Sequence, residues 1–382
     1  MKIKPGLQVK PRLVFIIPSL MGGGAERVLI SLANYFNKLN FQPVIVSLNQ
    51  HTPAYAIDKG VKVVHVLNRK RHDLVYRFYA FFKTFYVLIK LLRTEKPVCT
   101  ISFITSANIW AGIACNFTNT PYIVSERTSP NRSLNKFGYL HKKLAALIYT
   151  KSASVVVSAK GVGDCLLATK GFTHLDNISR IMNAVTTFDS LTPGKVHARK
   201  FILGVGRLAF VKGFDILVAA FGLANLEDTD LLIIGEGEER SNLLCQIHRL
   251  GLQEKVILPG SKTNLQDYYS QAEMFVLPSR NEGYPNALVE AMSLGCPCIA
   301  VNCDFGPSEI IKDGDNGVLI EKESIIALAD AIVSLSGNDG LKKRIGTAAR
   351  NICDSNSAVK ILGEWASLVD KHAKDTVTVP WP

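Results

Sequence analysis

The chain has 382 residues, 47% apolar and 20% charged, with a formal net charge of +12. That length and apolar share provide for two ordinary globular domains and exclude a disordered or collagen-like chain. The charge is uneven: residues 1–190 carry 25 Lys+Arg against 8 Asp+Glu, a net of +17, whereas residues 191–382 carry 19 against 24, a net of −5. A basic half favours anionic partners such as membrane headgroups, nucleic acid or phosphorylated substrates. Nucleic acid is set aside, because no recognised binding motif accompanies the charge.

The eight cysteines occur singly or as Cys296-Pro-Cys298, with no CxxC pair and no histidine at zinc spacing. They read as reduced core thiols of a cytosolic protein, not as a metal site or a disulfide framework. No stretch offers the roughly 18 uncharged residues that a spanning helix needs.

In chain order, the basic start MKIKPGLQVKPR, the apolar LVFII (13–17) and the small MGGGA imitate a signal peptide. The apolar run is short, however, and Gly22-Gly23-Gly24 leads into a helical pattern over 25–39, so a strand, a glycine turn and a helix are predicted. Short β-branched runs then alternate with helical stretches: VIVSL (44–48), VKVVHV (61–66), TISFI (100–104), YIVS (122–125) and SVVVS (154–158). The polar, Pro/Gly-interrupted IMNAVTTFDSLTPGKVHARK follows, and the pattern restarts with FILGVG (201–206), LLIIGEG (231–237), KVILPG (255–260), MFVLPS (274–279) and CIAVN (298–302). The alternation predicts an α/β chain of two doubly wound Rossmann-like domains, over 1–190 and 191–355. The stretch 356–382, helical to about 372, could pack back across the junction. Such sheets bind ligands at the carboxyl ends of their strands, so a facing pair makes a cleft.

Two stretches of the second half carry chemistry. In SRNEGYPNALVE (279–290), Glu282 and Glu290 stand eight apart around a Gly-Tyr-Pro break at the end of a strand. Pro285 suits the first position of a helix, whose N–H groups and positive dipole end would then stabilise an anion such as a diphosphate. Alone, the pair reads equally as exposed acids on an amphipathic helix. In GVGRLAFVKGFD (204–215), Arg207 and Lys212 follow a strand and precede a helix. Two fixed cations there are what a leaving diphosphate requires.

Together these stretches resemble the donor site of the family 4 retaining glycosyltransferases of GT-B fold. SLMGGGAERVL (19–29), GEGEER (235–240) and GDNGVLI (314–320) resemble the same family, and the likeness covers essentially the whole chain. The resemblance implies that Arg207 and Lys212 hold the diphosphate, that Glu282 contacts the donor sugar and that Glu290 holds the ribose. It makes Arg207, Lys212 and Glu282 the catalytic set. Gly283, Tyr284, Pro285 and Asn286 would contact sugar and phosphate, and Gly22, Gly23 and Gly24 would present backbone N–H groups from the first domain. Asn183 matches the family's hinge asparagine, although Ala184 and Thr186 replace the usual Gly and Asp. On the acceptor side, beside Glu126, Arg127 occupies a position where many members carry His.

The expected reaction moves a hexose or N-acetylhexosamine from a nucleotide-sugar, foremost a UDP-sugar, to a lipid-linked or growing glycan in bacterial surface polysaccharide assembly. The nucleotide-sugar is a co-substrate, so no cofactor is expected. No metal is expected either: Asp228-Thr-Asp230 precedes a strand, at the end away from the cleft, and Asp313-Gly-Asp315 reads as a turn, both solvated. Residues 74–92, LVYRFYAFFKTFYVLIKLL, place seven aromatics from Tyr76 to Tyr86, with Lys83, Lys90 and Arg93 close to one helical face and Arg69, Lys70 and Arg71 just ahead, while Arg77, Lys83 and Lys90 argue against a spanning helix. Aromatics with basic residues on a helix point to peripheral docking on an anionic membrane, on the inner face of the cytoplasmic membrane. A core helix with solvated charges is the alternative. The helix resembles that of members that extend polyprenyl-diphosphate-linked oligosaccharides.

A Rossmann dehydrogenase would need G-x-G-x-x-G at the first turn and an acid ending the second strand, and has neither. A GT-B sugar-nucleotide epimerase and a glycosyltransferase with a soluble acceptor remain open alternatives.

Overall fold

A computed structural model describes residues 10–68, 73–135, 137–186, 188 and 190–373. Arg69, Lys70 and Arg71 lie outside the described residues, as does most of the basic start. The chain forms two compact units. The first runs through Ser158 and includes 162–182 and the chain from Ile361. The second holds 159–161 and Asn183–Lys360.

Among the described residues, the first unit has a seven-stranded sheet of β1 (Arg12–Ile17), β2 (Gln42–Asn49), β3 (Lys62–Leu67), β4 (Cys99–Phe103), β5 (Tyr122–Glu126), β6 (Ser154–Val157) and β7 (Ile178–Arg180). The order is β3-β2-β1-β4-β5-β6-β7 and every pairing is parallel. Phe15 of β1 stands opposite Ile45 on one side and Ile101 on the other. Strands buried on both faces need no alternation, which is why these runs are continuously apolar. Crossover helices Gly24–Lys38, Thr105–Thr118 and Tyr139–Lys151 carry apolar stripes to the sheet.

The second unit has a parallel six-stranded sheet of β8 (Lys200–Val205), β9 (Thr229–Ile234), β10 (Val256–Ile257), β11 (Met274–Leu277), β12 (Cys298–Val301) and β13 (Val318–Ile320), in the order β10-β9-β8-β11-β12-β13. Phe214, Leu217, Phe221, Ile233, Val276, Ile299 and Ile332 belong to its core.

Both strand orders reverse once, between β1 and β4 and between β8 and β11. A ligand crevice opens at such switch points, because the crossovers on either side leave in opposite directions. Gly22–Gly24 follow β1, Arg207 and Lys212 follow β8, and Glu282 follows β11. Of the eight cysteines, Cys99, Cys115, Cys296, Cys298 and Cys303 are buried free thiols, while Cys245 is exposed.

Candidate active site

In the second unit, β8 ends at Val205, and Arg207 is exposed, with no ion pair among the described residues. The backbone around it is cradled by the loop after β9. Leu208 N–H donates to the Glu236 carbonyl at 2.9 Å, and Glu239 N–H donates back to the Leu208 carbonyl at 2.9 Å. Gly235, at φ +147°, permits this approach, since a Cβ there would stand 1.9 Å from the Gly206 carbonyl oxygen.

A 3₁₀ turn, Phe210–Lys212, leads through Gly213 into the helix Phe214–Ala224. Gly213 has φ +67°, and a Cβ on it would lie 2.0 Å from the Pro278 carbonyl oxygen, so the turn is pressed against the end of β11. Lys212 Nζ consequently reaches Glu282 Oε1 at 2.7 Å, and Ser279 Oγ donates to the same oxygen at 2.7 Å. Glu282 is 7% exposed. Both of these contacts fall on one oxygen of a buried carboxylate.

The helix after this loop spans Asn286–Ser293, and no side chain caps it. Pro285 is its N-cap, so the expectation that Pro285 opens the helix is corrected by one residue: with φ −82° and ψ 81°, Pro285 has left the helical region. Asn286 N–H turns back to the Tyr284 carbonyl at 3.0 Å, and Leu288 N–H bonds the Pro285 carbonyl at 3.0 Å. The first turn therefore offers an anion mainly its dipole end, not a full set of unused donors. Glu290, four residues on, is buried and accepts from Tyr269 OH at 3.1 Å and Thr186 Oγ1 at 3.2 Å.

Asn183 Nδ2 donates to Asn286 Oδ1 at 2.7 Å, and Asn356 Nδ2 donates to the Asn183 carbonyl at 2.9 Å and also to Tyr284 OH. Gly283, Tyr284 and Pro285 are buried, and Asn286 is half-buried. The second unit thus gathers Lys212, Glu282 and the loop 283–286 around one switch point, with Arg207 at the neighbouring strand end. Spacing gave no sign that Tyr269 and Thr186 hold Glu290, that Asn356 holds Asn183 or that Arg280 holds Asp215, because the partners of each pair lie far apart in the chain.

Asp230 differs from expectation. It is 2% exposed and paired with His197 Nε2 at 2.6 Å and Arg199 Nε at 3.2 Å, so Asp228-Thr-Asp230 is not a solvated pair. The pairing arises because Thr229 and Asp230 lie inside β9, where Asp230 is taken into the sheet. Asp313-Gly-Asp315 is an exposed turn, with Asp313 Oδ1 accepting from Leu319 N–H at 2.9 Å.

In the first unit, Gly22 has φ +107°, Gly23 caps the helix from Gly24 with an extended backbone, and Tyr55 OH donates to the Gly22 carbonyl at 3.3 Å. Glu126 ends β5 fully buried. Its Oε1 accepts from Thr105 Oγ1 at 2.8 Å, from Asn108 Nδ2 at 3.3 Å and from Tyr149 OH, while Oε2 has no partner among the described residues. Burial pushes its carboxyl up to about 7, against those hydrogen bonds and the neighbouring guanidinium of Arg127. Arg127 lies 4.8 Å from the Phe103 ring centre and 5.5 Å from that of Trp365, and burial lowers it to about 9. Trp365, on the helix Ala358–His372, stacks on Phe103 at 5.8 Å.

The helix Leu74–Glu95 divides along its length. Thr84, Leu88, Ile89, Leu91 and Leu92 are buried, whereas Leu74, Val75, Phe78, Tyr79, Phe81 and Phe82 are exposed. Arg77 and Lys90 are exposed and Lys83 is half-buried. Lys83 Nζ sits 5.5 Å over the Tyr79 ring and Lys90 Nζ 5.9 Å over Tyr86, each one turn back. Among the described residues, no helix is long and apolar enough to cross a membrane.

Two family descriptions match the chain in tandem, Glycosyltransferase Family 4 over 22–187 and Glycosyl transferases group 1 over 188–352. The chain belongs to glycosyltransferase family 4. The amylovoran biosynthesis glycosyltransferase AmsD of Erwinia amylovora is 25% identical over 368 residues, covering 94% of this chain and 99% of its own. The GalNAc-alpha-(1->4)-GalNAc-alpha-(1->3)-diNAcBac-PP-undecaprenol alpha-1,4-N-acetyl-D-galactosaminyltransferase of Campylobacter jejuni is 26% identical over 366 residues, covering 94% and 98%. Among solved structures, Anabaena HepE in complex with UDP superposes with a TM-score of 0.78 at 18% identity, covering 94% of this chain and 100% of that one. The architecture of this family 4 chain is the GT-B fold.

Proposed function

We propose that this family 4 glycosyltransferase carries out a retaining, metal-independent transfer of a hexose or N-acetylhexosamine from a UDP-sugar to a lipid-linked or growing glycan. The Lys212–Glu282 pair carries the reading. It sets a cation and a buried carboxylate 2.7 Å apart at the switch point of the second sheet, beside the exposed Arg207. In the transfer, the bond from the anomeric carbon to the β-phosphate oxygen breaks and a bond from that carbon to an acceptor oxygen forms. The acceptor's proton passes to the leaving phosphate. Negative charge grows on the diphosphate, where Lys212, Arg207 and the dipole end of the helix Asn286–Ser293 stabilise it as it forms. Glu282 orients the sugar hydroxyls and Glu290 the ribose. With two fixed cations on the leaving group, a divalent ion has no necessary task.

The Campylobacter relative is named for an undecaprenol-diphosphate acceptor and an α-linkage, and the Anabaena structure holds UDP. Both support a lipid-linked acceptor and a uridine donor here. An α-product from an α-configured nucleotide-sugar is retention. The exposed aromatic face and cations of Leu74–Glu95 support peripheral attachment to an anionic membrane, where such an acceptor lies.

The test offers radiolabelled UDP- and GDP-sugars with a bacterial membrane extract and follows label into solvent-extractable lipid. Label from one UDP-sugar should enter the lipid only with the protein present. Conversion of one UDP-sugar into another without acceptor would make the chain an epimerase and overturn the reading.

A further inference from the structure

Arg280 lies two residues before Glu282 and has no place in the chemistry above. Its guanidinium grips the opposite loop. Nη1 and Nη2 donate to the two carboxylate oxygens of Asp215 at 2.7 Å each, and Nη1 also donates to the Phe210 carbonyl at 2.8 Å. The guanidinium carbon lies 4.0 Å from the Phe210 ring centre, and Nε stands 3.9 Å from Glu323. The Arg280 backbone N–H donates to the Val211 carbonyl at 2.9 Å. Phe210, Val211 and Asp215 bracket Lys212 on the 3₁₀ turn and the first turn of the helix that follows it.

With its fork already committed to Asp215, Arg280 has little left to offer a ligand, and its side chain is only 17% exposed. A bidentate Arg–carboxylate pair fixes orientation as well as distance. The same two loops are joined by the Lys212–Glu282 pair, and a diphosphate would draw the Lys212 ammonium away from Glu282. The Arg280 contacts do not involve the ligand, so they persist when that pair is loosened.

We propose that Arg280, through Asp215 and Phe210, is a positioning residue that keeps the Lys212 turn in register with the Glu282 loop while Lys212 changes partner from carboxylate to diphosphate. This rests on the donor reading for what Lys212 binds, and goes beyond it in assigning the register of the two loops to Arg280.

Hydrogen exchange and UDP titration calorimetry on the full chain test the proposal, with Arg280→Ala, Arg280→Lys, Asp215→Asn, Lys212→Ala and the Arg280→Ala/Lys212→Ala double variant. In Arg280→Ala, the amides of Lys212 and Gly213 should exchange at least about tenfold faster while sheet amides are unchanged, and UDP affinity should fall about tenfold. Arg280→Lys should recover less than half of that loss, because a point charge cannot replace the fork. The double variant should bind UDP no more weakly than Lys212→Ala alone, since Arg280 acts through Lys212. Unchanged exchange at Lys212 and Gly213, or losses that multiply in the double variant, would overturn the proposal. Asp215→Asn breaks the fork from the other side and carries the same comparisons if Arg280→Ala does not fold. Wild-type protein that binds neither UDP nor GDP would sink the donor reading, while exchange still decides the clamp.

Discussion

Glu290 and Tyr269 meet in the second unit with the phenol hydroxyl donating to Oε2 at 3.1 Å, while Thr186 holds the other carboxylate oxygen. The carboxylate is thus oriented before any nucleotide arrives, and little ordering cost remains for the ribose hydroxyls it would accept. Glu290→Ala should weaken UDP binding by roughly 1.5–3 kcal/mol, the worth of a hydrogen bond to a charged group. Glu282→Ala should slow transfer and leave UDP affinity near normal, because UDP lacks the transferred sugar that Glu282 is proposed to touch. Calorimetry that showed equal UDP losses for both variants would contradict the division of roles.

Glu126 offers a prediction in pH. Burial raises its carboxyl from 4.5 to about 7, so the folded chain keeps a proton that the unfolded chain releases. The stability this contributes is fully present below about 4.5 and is lost as pH rises through about 7. The slope is at most about 1.4 kcal/mol per pH unit. Glu126→Gln stays neutral throughout and should flatten that decline, gaining on the wild type between about pH 4.5 and 7 and keeping that gain above pH 7. Urea midpoints from pH 4.5 to 8 check this, and parallel curves for the two proteins would refute it.

The helix Leu74–Glu95 should carry much of the membrane attraction. Each exposed basic residue near an anionic leaflet contributes about 1 kcal/mol, so replacing Arg77, Lys83 and Lys90 with Gln should remove up to roughly 3 kcal/mol. Half-buried Lys83 contributes the least. Sedimentation with anionic vesicles should fall accordingly, and wild-type binding should weaken as salt rises. Transfer to a short soluble acceptor should survive, because the donor residues lie in the other unit. Vesicle binding unaffected by both the substitutions and salt would remove the membrane from the account.

Much of this architecture was legible in the sequence because parallel strands buried on both faces are continuous β-branched runs, and LVFII, VIVSL and FILGVG all became strands. The strands Ile178–Arg180 and Val318–Ile320 were not, since three residues carry too little pattern to separate a strand from a loop. At the candidate site, the placement of Arg207, Lys212 and Glu282 just beyond strand ends was legible, since each follows a continuous apolar run. Their supports were not. Arg280 and Asp215 are 65 residues apart and Asn356 and Asn183 are 173 apart, so their pairing follows from sheet order, which periodicity does not give. Asp230 went astray for a related reason: a carboxylate next to a strand reads as solvated until His197 and Arg199 are seen beside it.

The central claim is a retaining transfer driven by protein cations without a metal. The most direct measurement takes the donor and acceptor found by the labelled-sugar screen, runs the reaction in excess EDTA, and reads the anomeric configuration of the product by NMR. The account predicts undiminished transfer and an α-linked product from an α-configured UDP-sugar. Loss of activity on chelation with recovery on adding Mn²⁺, or a β-linked product, would contradict it.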